Sequence, residues 1–380
     1  MSSSNTGLII HEVINQLDQP KADTNVNPKS IRATSDIEAI KTWLTEFQES
    51  PNTFISYRQT AERFILWLLQ QELTLTQVTR EDIQDYQIFL QSPTPAEFWC
   101  GPSKPRNHKD WRPFVKGLSP SSIRLNLQIL TTMYEYLLQS GYLIKNPFRL
   151  VKRKSARLTI NRGIERYLTH KEWDYVLDYI NKMPQHNLAL KQSYERTKWI
   201  FTLLYLSGCR RNEIVQAKMS DFFQKHGQWW LRVIGKGNKY GEIPVTNDLL
   251  AALIAYRRSL NLSDYPHTLE TDIALVNNIQ NKLNKHIGIS DSMLYKIIKS
   301  TCQNISNHVK LTDPAAAFVI EKVSTHWLRH TSATHQVDAG IDIRIVKENL
   351  RHSMLETTMK YQHTESDTRH QETIKKFGIT

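Results

Sequence analysis

The stretch from Ser324 to His363 contains Thr325-His326-Trp327-Leu328-Arg329-His330, then Leu350-Arg351-His352, and then Tyr361. With Thr325 as a helix cap, His326 and Arg329 stand three residues apart and share one face, so an imidazole and a guanidinium point together. Gly340 is placed to stop that helix, Asp342 to Asn349 can form another, and His352 and Tyr361 follow closely. Histidine, arginine and tyrosine without a carboxylate cluster suggest phosphate chemistry, because guanidinium forks match phosphate oxygens and a tyrosine can act as nucleophile. Taken singly, each residue has a plainer explanation. One tyrosine of fifteen is ordinarily core or surface, and a lone His-x-x-Arg is ordinarily a solvated or capping pair.

In order and spacing, His326-x-x-Arg329, Leu-x-His352 and Tyr361 nine residues later resemble the second signature box of the tyrosine recombinases, or phage integrases. The first box of that family, Gly-x-Arg with a Glu three residues on, is matched by Gly208, Arg210 and Glu213. The resemblance implies that Arg210, not Arg211, clamps phosphate. Physically, Gly208 ends one helix, the next begins at the arginine, and Glu213 can hold Arg210 in place. Trp229 to Ile234 reads as a strand, Gly235 to Gly241 as a tight turn and Glu242 to Val245 as the returning strand. The P-loop spacing is missing from this glycine-rich turn. The family's Gly-Lys-Gly hairpin lysine, which reaches the leaving oxygen, is matched by Lys236 rather than Lys239.

The mechanism this resemblance implies uses six residues and no cofactor, metal or nucleotide. Tyr361 attacks a DNA phosphate to give a 3′-phosphotyrosyl link and a free 5′-hydroxyl, and a second 5′-hydroxyl reverses the step on another strand. Arg210 and Arg329 clamp the non-bridging oxygens, His352 adds a hydrogen bond, Lys236 protonates the leaving oxygen and His326 handles the tyrosine proton. One departure stands beside these matches. The family's usual residue before the last histidine is glycine, and here it is Arg351. Either the position needs φ > 0 and the arginine is strained, or it does not and Arg351 adds a phosphate contact. The fit of Leu355, Thr357 and Thr358 favours the second.

The rest of the chain agrees in charge. Across 380 residues, 49 Lys and Arg against 37 Asp and Glu leave +12, spread along the length, which points to a polyanionic partner and first to double-stranded DNA. No stretch approaches the ~20 apolar residues of a membrane span, and Met-Ser-Ser-Ser-Asn-Thr lacks the basic lead of a signal peptide. A soluble protein of the prokaryotic cytoplasm, at the nucleoid, is expected. Cys100, Cys209 and Cys302 have neither disulfide nor zinc spacing.

The length suits two domains. Residues 1–34 read as a polar arm, 35–150 as a helical core-binding (SAM-like) domain, 151–164 as a basic linker and 165–380 as the catalytic domain with a C-terminal tail. In 35–150, helices are expected around Trp43, Leu44 and Phe47; along Tyr57, Ala61, Phe64 and Leu68; from Thr79 through Leu90; and from Ser119-Pro120 to Gly141. Ser92 to Leu118 breaks the pattern with five prolines and Lys104, Arg106, Lys109, Arg112 and Lys116. It reads as a loop tracking phosphates rather than merely a solvated one. Thr169 with Glu172 is a capping box that starts the second unit's first helix. From Thr246 to Val323 the chain reads as scaffold, with helices at Asp248 to Leu260 and Ser290 to Ser300. The fold class expected is mainly α with a small β-sheet, in two domains that the family resemblance implies close around duplex DNA as a clamp.

Three rivals remain. A catalytically inactive DNA-binding regulator would share the fold, and a type IB topoisomerase would share the tyrosine chemistry. His326, His330 and His335 as metal ligands lack the His-Glu-x-x-His arrangement. The family implies a homotetramer on DNA, with Ile374 and Phe377 of the tail available to dock on a neighbouring protomer; a lone solvated tail is the plainer alternative. The biological setting, integration of a mobile element or resolution of dimers, is not written in the chain.

Overall fold

Polar side chains fix where most helices of the first half begin. Ser35 accepts the Glu38 N–H at the start of α1 (Asp36–Thr45), α2 (Pro51–Gln70) opens on Pro51 with no side-chain cap, and Thr79 with Asp82 forms a reciprocal capping box on α3 (Arg80–Gln91). Ser119 caps α5 (Pro120–Gln139), whose first residue is proline, and Gly141 at φ 74° ends it. The apolar stripes then meet: Phe64 lies edge-on to Tyr86 at 4.9 Å, and Tyr134 packs on Phe148 at 4.9 Å. Ile31 and Ala33 are buried in this core too, ahead of the expected first helix.

The irregular segment between α3 and α5 is not only a solvated loop. It carries one short turn of helix, α4 (Ala96–Trp99), and it buries Trp99 and Phe114 completely, with Trp99 edge-on to Phe89 at 4.8 Å. A buried aromatic contributes roughly 1.5–3 kcal/mol, so this segment belongs to the core of its unit. Lys104, Lys109 and Lys116 stay exposed on it.

In this computed structural model, residues 30–151, 166–235, 239–279 and 286–351 are described, and the chain divides into two units, Met1–Thr159 and Ile160–Thr380. The expected arm up to residue 29, the basic run at 152–165, the hairpin tip at 236–238 and everything from His352 onward, with the tail's Ile374 and Phe377, lie outside the described residues.

The second unit opens with the Thr169–Glu172 capping box on α6 (His170–Asn181). Its centre is α7 (Leu188–Ser207), buried through Trp199, Ile200, Phe201, Leu203 and Leu204, and the Trp199 indole donates to the Leu275 carbonyl at 2.9 Å. After the short α8 (Arg211–Gln216) come β1 (Phe222–Lys225), β2 (Gln228–Ile234) and β3 (Tyr240–Pro244), an antiparallel sheet in that order. Phe222 pairs with Leu231 and Leu231 with Ile243, which puts these buried side chains on the same face. Scaffold helices α9 (Asn247–Ser259), α10 (Asp291–Val309) and α11 (Pro314–Glu321) follow. Last come α12 (Thr325–Asp338) and α13 (Ile343–Leu350). Ser324, not Thr325, occupies the cap position of α12; Thr325 is its first helical residue. Among the described residues no helix is long and apolar enough to cross a membrane.

Candidate active site

The turn after α7 is built by a close approach. Gly208 has φ 56°, and a Cβ there would stand 2.5 Å from Leu350 Cδ2 at the end of α13. Both the left-handed backbone and the close neighbour favour glycine. Two residues on, Arg210 takes the cap position of α8. Its backbone N–H donates to Glu213 Oε2 at 2.7 Å and its Nη1 to Oε1 at 2.9 Å. Glu213 is 2 % exposed while Arg210 is 40 % exposed, so a buried carboxylate steers a guanidinium that still faces solvent. The adjacent Arg211 goes elsewhere, with Nε 2.5 Å from Asp291 Oδ1.

Arg329 arrives from α12. Its Nη1 donates to the Gly208 carbonyl at 2.5 Å and its Nη2 to the Leu350 carbonyl. One buried guanidinium therefore pins the turn after α7 to the end of α13. Burial, reinforced by the charges of Arg210 and Arg351, pushes its pKa down to about 10, which leaves it charged at neutral pH. Five N–H donors on a guanidinium give it capacity beyond these two carbonyls.

His326 sits one turn before Arg329 on the same helix and is exposed. Its Nε2 is 2.7 Å from His330 Nε2, so one ring donates and the other accepts, and the accepting ring is neutral in this contact. Partial desolvation, then the charges of Arg329, Arg166 and Arg210, push the His326 pKa below the usual imidazole value. His335 does not join this pair. It is buried, with Nδ1 2.9 Å from the Tyr205 hydroxyl and Nε2 2.9 Å from the Leu168 carbonyl, and it stacks on His170 at 3.7 Å. Among the described residues no group of His, Cys, Asp or Glu is arranged to hold a metal ion.

The expectation for Arg351 is corrected. It has φ 54° and ψ 45°, a left-handed residue that caps α13, and for a residue with a Cβ that conformation costs roughly 1–2 kcal/mol. The C-terminal turn of the helix requires this backbone, which is why glycine suits the position. Nor does its side chain extend freely for a phosphate. Nη2 donates to Glu213 Oε2 at 2.6 Å and Nη1 to the Asn349 carbonyl at 2.7 Å, and its stem lies so close to β3 that a Cβ on Gly241 would stand 2.3 Å from Arg351 Cδ. Burial alone would raise the Glu213 pKa, but Arg351 and then the Arg210 N–H and guanidinium outweigh it and hold the carboxyl below its ordinary value.

Of the six candidate residues, Arg210, His326 and Arg329 are thus brought to one locality. Lys236, His352 and Tyr361 lie outside the described residues. The base of the lysine hairpin is described: Gly235 N–H donates to the Lys239 carbonyl at 2.7 Å, and a Cβ on Gly235 would be 3.5 Å from Glu213 Oε1. The root of that hairpin therefore stands beside the carboxylate that holds Arg210.

Comparison with known proteins gives two family matches: residues 166–367 match the model of the phage integrase family, and residues 37–155 that of the phage integrase SAM-like domain. The tyrosine recombinase XerC of Thermodesulfovibrio yellowstonii is 28 % identical over 254 residues, covering 66 % of this chain and 74 % of the relative. XerD of Pasteurella multocida is 28 % identical over 324 residues, covering 84 % and 90 %. Among solved structures, XerH recombinase bound to a palindromic difH substrate in a post-cleavage complex aligns with a TM-score of 0.60 at 18 % identity, over 98 % of this chain and 89 % of that one. The Tn1549 transposon integrase in complex with circular intermediate DNA aligns with a TM-score of 0.56 at 15 % identity, over 88 % and 98 %.

Proposed function

This chain belongs to the phage integrase family, and from that membership we propose how its residues carry the work. The protein is a site-specific tyrosine recombinase, an enzyme that breaks and rejoins DNA. In the proposed reaction the Tyr361 oxygen attacks a DNA phosphorus and loses its proton towards His326, whose depressed pKa keeps the ring neutral and able to accept. The bond from phosphorus to the 5′-oxygen breaks, and Lys236 gives that oxygen a proton. The products are a 3′-phosphotyrosyl link and a 5′-hydroxyl, and attack by a 5′-hydroxyl from another strand regenerates Tyr361. Arg210 and Arg329, with His352, stabilise the charge that gathers on the non-bridging oxygens.

The observation that carries this assignment is the meeting of two arginines from separate boxes at one turn: Arg329 holds the Gly208 carbonyl, and Arg210 leaves the same turn under the control of Glu213. The exposed lysines of the segment between α3 and α5 are proposed to track the DNA backbone. Division into an arm, a core-binding domain, a basic linker at 151–164 and a catalytic domain, the closing of the two domains as a clamp, assembly as a homotetramer on DNA, and residence at a prokaryotic nucleoid belong to the same proposal.

The test is covalent capture. The purified full chain and its Tyr361→Phe variant are incubated without added metal with nicked duplexes drawn from the DNA flanking its gene, and with a random-site library. A denaturant-resistant protein–DNA band that vanishes in the variant is expected. Tight, salt-sensitive binding with no band on any library member would instead make the protein a DNA-binding regulator with a silent site.

A further inference from the structure

Among the described residues of this site, Arg351 occupies the one place where its own backbone argues against it. At φ 54° the position favours a residue without a Cβ, yet an arginine stands there and reaches three separate elements. It donates to Glu213 on α8, returns to the Asn349 carbonyl within α13, and lies against Gly241 of β3. Only 13 % of its side chain is exposed. A long flexible cation with a strained backbone is retained in so closed a place by its partners, and the strongest of them is a carboxylate that is itself nearly inaccessible.

That carboxylate is shared. Oε1 of Glu213 takes the Arg210 guanidinium, while Oε2 takes the Arg210 backbone N–H and the Arg351 guanidinium. Removing Arg351 would leave Oε2 with one donor in a desolvated setting, freeing the carboxylate to turn or to take a proton, and Arg210 would lose a fixed partner. Arg210 also reaches back towards the Arg351 carbonyl at 3.5 Å, so the two arginines meet through backbone and carboxylate alike.

The geometry points to Arg351 as a positioning residue of the recombination reaction: it latches the end of α13 and the strand that leaves the lysine hairpin to Glu213, and through Glu213 it sets the aim of Arg210. It touches no reacting atom in this role. The catalytic half of the inference rests on the recombinase assignment; the latch itself does not.

Two measurements on the full chain separate them. The first compares wild type, Arg351→Gly and Arg351→Lys for DNA affinity and for the rate of covalent capture at saturating DNA, on a nicked duplex that captures the wild type. Arg351→Gly relieves the left-handed backbone, so it keeps its fold, and it is expected to slow capture by about tenfold with affinity unchanged, the scale of removing one charged hydrogen bond. Arg351→Lys, which retains a charge for Glu213, is expected to recover part of the rate. The second needs no DNA. Cys209 is buried in the turn beside Arg210, and Cys302 is buried in α10, so their rates of thiol labelling report two local openings of the same unit. Removal of the latch is expected to speed labelling at Cys209 by about tenfold and leave Cys302 unchanged.

Wild-type rates of capture and of Cys209 labelling in Arg351→Gly would overturn the inference. So would weaker DNA binding with a shallower salt dependence and unchanged Cys209 labelling, which would make Arg351 a phosphate-binding residue. If the wild type captures no DNA at all, the recombinase mechanism fails, and Cys209 labelling still decides whether the latch exists.

Discussion

Two sets of cations, the lysines between α3 and α5 and the arginines around the turn after α7, are handled in opposite ways. Between α3 and α5, Trp99 and Phe114 are sunk in the core, the Arg63 guanidinium lies 4.6 Å over the Phe114 ring, and Lys104, Lys109 and Lys116 remain in solvent on the anchored loop. Around the turn after α7, by contrast, Arg329 and Arg351 are withdrawn from solvent and held by carbonyls and by the single carboxylate of Glu213, leaving Arg210 as the exposed member. Exposed lysines on a fixed loop supply attraction that is strong at low salt and indifferent to geometry. Buried arginines in a network supply geometry, and their charge is worth more where water is excluded. The first arrangement suits holding a polyanion; the second suits a transition state.

The largest effect expected is on the anchoring of the loop. Trp99→Ala should destabilise the first unit by about 3–5 kcal/mol, read as a fall in the midpoint of that unit's thermal transition by circular dichroism. If the loop were merely draped over the surface, the change would stay within about 0.5 kcal/mol and the contrast between the units would collapse.

Next comes Arg210. Its replacement by alanine should reduce covalent capture by about 2.7–4 kcal/mol in activation free energy, with DNA affinity little changed, since the loss falls on the charge that develops during reaction. Single-turnover capture alongside equilibrium binding makes the measurement, and an equal loss in both would mean that Arg210 only holds DNA. Replacing Lys104, Lys109 and Lys116 together with alanine should do the reverse. The slope of log affinity against log salt should become shallower by about 0.9 for each phosphate no longer neutralised, and capture at saturating DNA should hold.

Much of this contrast was legible in the sequence, and the part that was not has a physical reason. Capping residues such as Thr79 with Asp82, Thr169 with Glu172 and Ser119 before Pro120 announce helices locally, and each helix starts where its cap stands. Arg210 and Glu213 lie within one turn, so their hydrogen bonds follow from spacing. Phe222–Lys225 is too short to show alternation, and its pairing partner makes it a strand. The burial of Trp99 and Phe114 was hidden because a proline-rich, basic segment gives no periodic signal. Arg351 and Glu213 are 138 residues apart, and neither spacing nor propensity reveals that a cation at the end of α13 completes a carboxylate on α8. The same holds for Tyr205 with His335, where a histidine that resembles a ligand in sequence is a satisfied core residue.

The smallest effect expected separates the exposed edge of the second unit's cation cluster from its buried centre, through pH. His326 is held below the ordinary imidazole value of about 6.5, by partial desolvation and then by three neighbouring arginines, so folding favours its neutral form. Stability from this group is therefore present above about pH 6.5 and is lost as the pH falls towards the lower folded value. Buried His335 shifts in the same direction, so thermal stability of the second unit should decline on acidification. For the reaction the consequence is distinct. If His326 accepts the Tyr361 proton, single-turnover capture should stay level as the pH drops through about 6.5 and fall only below it, because the ring remains neutral over that interval. In His326→Gln the rate should be lower throughout and this acid limb should disappear, while the acid decline in stability persists through His335. An acid limb that survives the substitution at the same pH would move the titrating group away from His326.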